Sequence, residues 1–149
     1  FAVQCKVFFK LHESARFLLD QPEEKTDGFV LVPNKACIHQ GTHSTMFKLK
    51  PKNKNTVDFY ILNGKPHLQN GGRLVSTRTQ VMLHSIECEK QVVECEYMGS
   101  NTWNAICVRS DKNMPNSTYT YKKTLINIEE DIKPHELLPQ GKANENPTT

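Results

Sequence analysis

No apolar run in the 149-residue chain approaches the roughly 18 to 20 residues needed to cross a bilayer, so a helical membrane anchor is not expected. The opening residues, Phe1-Ala2-Val3-Gln4-Cys5, lack the basic, apolar, small-residue succession of a secretory signal. The absence of an initiating Met is what a fragment would show. Cysteine is sparse: Cys5, Cys37, Cys88, Cys95 and Cys107 are odd in number, widely spread and contain no C-x-x-C pair, so a zinc site is not expected. They fit free thiols in a reducing, intracellular compartment, with Cys5 and Cys107 expected inside buried strands as small hydrophobes. Charge of one sign is also scarce. A net +3 is too small to name a polyanionic partner, although Lys48, Lys50, Lys52 and Lys54 concentrate positive charge locally. The six histidines are scattered and carry no catalytic expectation.

What is present is enough apolar residue, 37% of the chain, for one full domain or one and a half small ones. Residues 1–9 read as a strand, and Leu11, Ala15 and Leu18 recur at helical spacing up to Pro22. Thr26-Asp27-Gly28-Phe29-Val30-Leu31-Val32-Pro33 reads as an apolar strand entered through an Asp-Gly pair. A second strand runs from Met46 to Pro51, placing Met46, Lys48 and Lys50 on one face and Phe47, Leu49 and Pro51 on the other. Two ammonium groups roughly 6 to 7 Å apart on one strand face can reach a single polyphosphate, which marks Lys48 and Lys50 as a candidate nucleotide grip.

From Val57 onward Val57, Phe59 and Ile61 alternate. A turn-rich stretch follows from Asn63 to Gly72, with strands expected near Gln80–Ser85, Gln91–Tyr97 and Trp103–Val108. Short strands at this spacing predict a small β-barrel, with Trp103 in its core. Tyr121, Leu125, Ile128 and Ile132 predict a helix capped by Ser117 or Thr118 and ended by Pro134. The polar tail from Gln140 reads as disordered. The fold class is therefore α+β. Residues 1–51 are expected to be the C-terminal part of a nucleotide-binding sheet, 52–133 an OB-fold barrel with a C-terminal helix, and 134–149 a tail.

Phe1 with Lys6, Thr26-Asp27-Gly28-Phe29-Val30, Phe47-Lys48-Leu49-Lys50-Pro51 through Asn55-Thr56-Val57-Asp58-Phe59, and Arg109-Ser110-Asp111-Lys112 resemble, in order and spacing, the later motifs of mRNA capping guanylyltransferases. The compact form from chlorella viruses is the most similar in pattern. The stretches Glu94 to Trp103 and Thr124 to Glu130 extend the likeness, which covers about positions 1 to 138. The resemblance implies a ligase-type (ATP-grasp-like) nucleotidyltransferase sheet before the OB-fold barrel. It implies that Lys6 contacts the guanine base, that Asp27 lies by the α-phosphate and the metal, that Lys48 and Lys50 hold phosphates, and that Asp58 closes that motif. Arg109, Asp111 and Lys112 would belong to an OB domain that swings over GTP and orients the β- and γ-phosphates as pyrophosphate leaves. The implied cofactors and partners are GTP with Mg2+ or Mn2+, 5′-diphosphate RNA, the N-terminal half of the nucleotidyltransferase domain, an RNA triphosphatase and a cap methyltransferase, in a nuclear, cytoplasmic or virus-encoded setting. Attack on an α-phosphate builds charge on the leaving pyrophosphate, so cations on both sides of a cleft are what the chemistry requires.

The family's lysyl-GMP intermediate forms at a K-x-D-G lysine. Lys25-Thr26-Asp27-Gly28 has that form, yet no upstream sheet holds Lys25, and the downstream order fits Asp27 to the later motif. The chain alone is thus expected to be inactive. Cys107 stands where the family often carries a further arginine. An ATP-dependent polynucleotide ligase and a non-catalytic OB module for single-stranded nucleic acid are the rival readings. Ligases usually show Glu-Gly in place of Asp27-Gly28, and few aromatics cluster in the barrel region to stack bases.

Overall fold

Val57, Phe59 and Ile61 occupy every second position of one run and are 0%, 0% and 1% exposed, the pattern of a strand with one face in a core. In the computed structural model, which describes residues 8–11, 27–35, 40–41, 43–84 and 86–137, they anchor a mixed α+β architecture of mostly sheet with one α-helix. The chain divides into two compact units, one of Phe1–Leu49 with Ile132–Thr149 and one of Lys50–Asp131. The predicted helix from Leu11 to Pro22, apart from Leu11 itself, together with Lys6, Cys5, Cys37 and the tail from Gln140, lies outside the described residues. Of the strand predicted over 1–9 only positions 8 and 9 are described, and neither is in a strand.

The first unit contains an antiparallel ribbon of β1 (Phe29–Leu31) and β2 (Phe47–Leu49), with Val30 opposite Lys48 and Leu31 opposite Phe47. The lysine strand is therefore shorter than predicted and stops before Lys50. Pro51 has no N–H to extend a ladder, and its carbonyl instead accepts from the Lys54 N–H at 2.9 Å in a 3-10 turn over Lys52–Lys54. The face opposite Lys48 is not a buried one either, for Phe47 is 63% exposed.

The second unit is a six-stranded sheet of β3 (Thr56–Leu62), β4 (Lys65–Asn70), β5 (Arg73–Ser76), β6 (Gln80–Met82), β7 (Val92–Gly99) and β8 (Thr102–Val108), ordered β5-β4-β3-β7-β8-β6. All neighbours are antiparallel except β6 and β8. β5 and β6 occupy opposite ends of that order yet are separated only by residues 77–79, so the chain itself joins the two edges of the sheet. Asn63-Gly64 and Gly71-Gly72 all have positive φ, between 53° and 78°, and form two tight hairpin turns. The stretch predicted to be turn-rich is thus two turns flanking a strand, β4, whose Leu68 is 2% exposed.

Trp103, at 0% exposure, packs edge-on to Phe59 with ring centroids 5.6 Å apart. Helix α1 (Thr118–Glu130) closes the core through Ile128, with Tyr121 and Leu125 packed beside it. Ser117 Oγ accepts from the Thr120 N–H at 3.0 Å as the N-cap. The helix ends one turn earlier than its periodicity implies, because Asp131 takes the left-handed conformation (φ 43°), and Ile132 lies beyond it, 41% exposed. The prediction that Cys107 is buried is overturned. Pairing shifts from Glu94↔Cys107 to Cys95↔Ala105, so Ile106 is an extra residue, and the bulge leaves both Ile106 and Cys107 exposed.

Candidate functional site

Asp58 occupies the outward parity of β3, between Val57 and Phe59, yet it is only 5% exposed. Continuing the β3–β4 register of Tyr60↔His67 would place Asp58 opposite Gln69, but the strands part there and residues 116 and 117 lie between them. The Asp58 N–H donates to Asn116 Oδ1 at 2.8 Å, and Asn116 N–H donates to the Asp58 carbonyl at 2.9 Å. On the other side the Gln69 N–H donates to the Asn116 carbonyl at 3.0 Å. One segment thus satisfies the backbone groups that the parted ladder exposes and sets the start of α1.

Arg109 follows directly on β8, its N–H donating to the Val92 carbonyl at 2.8 Å, and the Lys112 N–H closes a turn onto the Arg109 carbonyl at 3.1 Å. A turn of that length brings its first and fourth side chains together. Lys112 Nζ reaches Asp58 Oδ2 at 2.5 Å and Arg109 Nη1 reaches Asp58 Oδ1 at 3.3 Å. The rest of the guanidinium grips Asp111 in a fork, Nε to Oδ1 at 2.9 Å and Nη2 to Oδ2 at 2.8 Å. That fork holds the Asp111 carboxyl down at about 2 and pushes the guanidinium further up.

The sequence reading missed Glu94. It lies directly across from Asp58 in the β3–β7 register, a like-charge juxtaposition that is unfavourable by itself. Arg109 Nη1 lies 3.5 Å from Glu94 Oε2 and bridges the two carboxylates. Thr56 Oγ1 donates to the other Glu94 oxygen at 2.7 Å. The available signal was parity: with Val93 and Cys95 both in the core, Glu94 must point outward on the strand beside Asp58. The cluster therefore counts two cations, Arg109 and Lys112, against three carboxylates, Asp58, Glu94 and Asp111.

In the other unit Lys48 Nζ pairs with Asp27 Oδ2 at 2.5 Å, with both side chains about half exposed or more. Lys50, just past β2, donates to the Lys54 carbonyl at 3.1 Å. The structure thus joins Asp27 to Lys48, and Asp58 to Arg109, Asp111 and Lys112, while Lys6 lies outside the described residues. Among the described residues no three His, Cys, Asp or Glu side chains gather as a metal site, and no described helix is long and apolar enough to cross a membrane.

The family model described as "mRNA capping enzyme, C-terminal domain" matches residues 39–138. The chain is also 25% identical to the mRNA-capping enzyme subunit alpha of Schizosaccharomyces pombe, over 76% of this chain and 35% of that protein. It thus spans about a third of the length of that curated relative.

Proposed function

The chain belongs to the family of mRNA capping enzyme C-terminal domains, and on that premise we propose that it is the C-terminal part of a GTP:RNA guanylyltransferase, which passes GMP from GTP through a lysyl adduct to a 5′-diphosphate RNA. The observation that carries the proposal is the convergence of Arg109 and Lys112 on Asp58, which gathers two separately recognised motifs at one point of one unit. Counting β5 and β6 as one strand broken at 77–79, the sheet order is that of a closed five-stranded barrel, which supports the OB fold. Motif order alone supports the likeness to the compact chlorella-virus form.

Arg109 and Lys112 are held on carboxylates, so contact with a triphosphate is an exchange. The phosphate oxygens replace Asp58, Glu94 and Asp111, and the cations are preset in position for the developing pyrophosphate. Lys48 and Lys50 serve the α- and β-phosphates from β2 and its end. A single carboxylate beside phosphate oxygens is the donor set that Mg2+ accepts, so Asp27 would hold the metal once Lys48 shifts to phosphate, and the ion would neutralise charge on the phosphates. The K-x-D-G lysine and the base-stacking half of the site belong, on this reading, to sequence outside these residues.

The test uses a protein that joins this chain to its K-x-D-G segment. Arg109→Ala or Lys112→Ala should slow formation of the enzyme-guanylate from GTP on the order of a hundred- to a thousandfold. Transfer of GMP from a pre-formed adduct to diphosphate-ended RNA should suffer far less. Equal losses in the two half-reactions, measured in single turnover, would mean that the cluster only stitches the barrel together.

A further inference from the structure

The bulge in β8 decides where Arg109 points. Cys95 pairs with Ala105 and Glu94 with Cys107, so Ile106 is extra. Val108 then lies opposite Val93 and packs on the core, and Arg109, the next residue, returns to the outer face of the sheet. Without the extra residue the alternation would aim Arg109 inward. On that outer face Glu94 is held at both oxygens: Thr56 Oγ1 donates to Oε1 at 2.7 Å, and the Cys107 thiol donates to Oε2 at 3.9 Å. The same Oε2 lies 3.5 Å from Arg109 Nη1. A carboxylate tied down in this way stays with the strands when the guanidinium leaves.

The three carboxylates of the cluster are therefore unequal. Asp111 sits on the same turn as Arg109, Asp58 is buried and holds both cations, and Glu94 pairs with Arg109 and with no other described cation. When phosphate takes Arg109, Glu94 and Asp58, directly opposite each other in the β3–β7 register, are left as two like charges with no guanidinium between them. We propose that Glu94 is an autoinhibitory carboxylate. It competes with the triphosphate end for Arg109, weakens the hold on the phosphates, and draws the guanidinium back once pyrophosphate has left. The inference rests on the reading in which Arg109 and Lys112 take up phosphate oxygens. A residue that only supported the cluster would weaken phosphate binding when neutralised, whereas a competitor strengthens it. The two roles differ in sign.

The test is calorimetric titration of inorganic tripolyphosphate, without metal, into the 149-residue chain at low salt. Glu94→Gln keeps the shape and an acceptor for Thr56, and it should tighten binding on the order of five- to twentyfold. Glu94→Asp keeps the charge but draws it back by one methylene, and should tighten binding by less. In the Arg109→Ala background Glu94→Gln should change nothing, while in the Lys112→Ala background the gain should remain, because Glu94 pairs with Arg109 and not with Lys112. Glu96→Gln controls for net charge. Glu96 lies on the same face two residues along β7 and accepts from Asn104 Nδ2 at 2.9 Å, so its gain should stay below about twofold. Unchanged or weaker binding by Glu94→Gln, a gain that persists without Arg109, or an equal gain from Glu96→Gln would each overturn the competitor. Failure of the triphosphate reading shows separately. Arg109→Ala and Lys112→Ala would then bind tripolyphosphate as the parent does, and this inference would fall with that reading, whereas weaker binding in both with no gain from Glu94→Gln sinks this inference alone.

Discussion

Asp58 alone decides how the cations of the Arg109–Lys112 turn are held. Its carboxylate accepts from both while its own backbone is fixed by Asn116, so it has one geometry and two charged partners. Asp58→Asn preserves the shape and the backbone bonds but removes the charge. The expected cost is roughly 1.5 to 3 kcal/mol, the range for charge-assisted hydrogen bonds at a buried group. Urea unfolding should show a lower midpoint with an unchanged m-value. No shift in the midpoint would put the cluster with exposed surface pairs, which contribute little. Asp58, Arg109 and Lys112 were each identifiable from motif order in the sequence, but their partnership was not, because it depends on a register between strands some fifty positions apart. Glu94 was hidden for the same reason. Nothing local in Glu94-Cys95-Glu96 distinguishes it from any outward strand residue until β3 and β8 flank it.

At the level of elements, readability followed periodicity. Alternation located β3, β7 and β8, and the spacing of Tyr121, Leu125 and Ile128 with Ser117 located α1, since each buries a face whose period is written in the side chains. β4 and β5 were missed because both are short and flanked by glycine turns, and β4 is polar apart from Pro66 and Leu68. The Asn-Gly pair at 63 and 64 is nonetheless a strong hairpin signal when read as turn chemistry. The β8 bulge escaped because an extra residue leaves no mark in composition, and it reversed the expected burial of Cys107. The wedge at Asn116 is not readable at all, for it fills a gap that exists only once β3 and β4 diverge. Asn116→Ala removes the acceptor for the Asp58 N–H and should cost about 1 to 3 kcal/mol, the penalty for an unsatisfied buried donor. Ser117→Ala, which removes only the cap, should cost about 1 kcal/mol. Hydrogen exchange distinguishes the two: Asn116→Ala should lower protection at Asp58 and Gln69 as well as in the first turn of α1, whereas Ser117→Ala should affect the helix alone. Identical protection maps would reduce Asn116 to a helix cap.

For the molecule as a whole, the groups with displaced proton affinities set the pH range over which it is stable. On the acid side Asp111 is held at about 2 by the Arg109 fork, and Glu89 lies below its usual range because the Asn63 and Gly64 N–H groups donate to it. A lowered carboxyl contributes stability above its unfolded pKa that is lost as pH falls through the folded value, so the decline begins near pH 4 and continues to about 2. On the alkaline side burial first, and then the charges of Asp58 and its neighbours, push the Cys95 thiol up to about 12 from 9.0, and burial raises Cys88 as well. Above pH 9 the unfolded thiol ionises while the folded one stays protonated. The folded state then binds more protons, and stability falls as pH rises. Urea midpoints should therefore be level from about pH 5 to 8.5 and decline on either side, with an alkaline slope from Cys95 on the order of 1 kcal/mol per pH unit. Cys95→Val fills the same core position without a titrating group and should flatten the limb between pH 9 and 10 while leaving the acid limb unchanged. If the variant and parent fall in parallel there, the buried Cys95 thiol has no part in the alkaline loss.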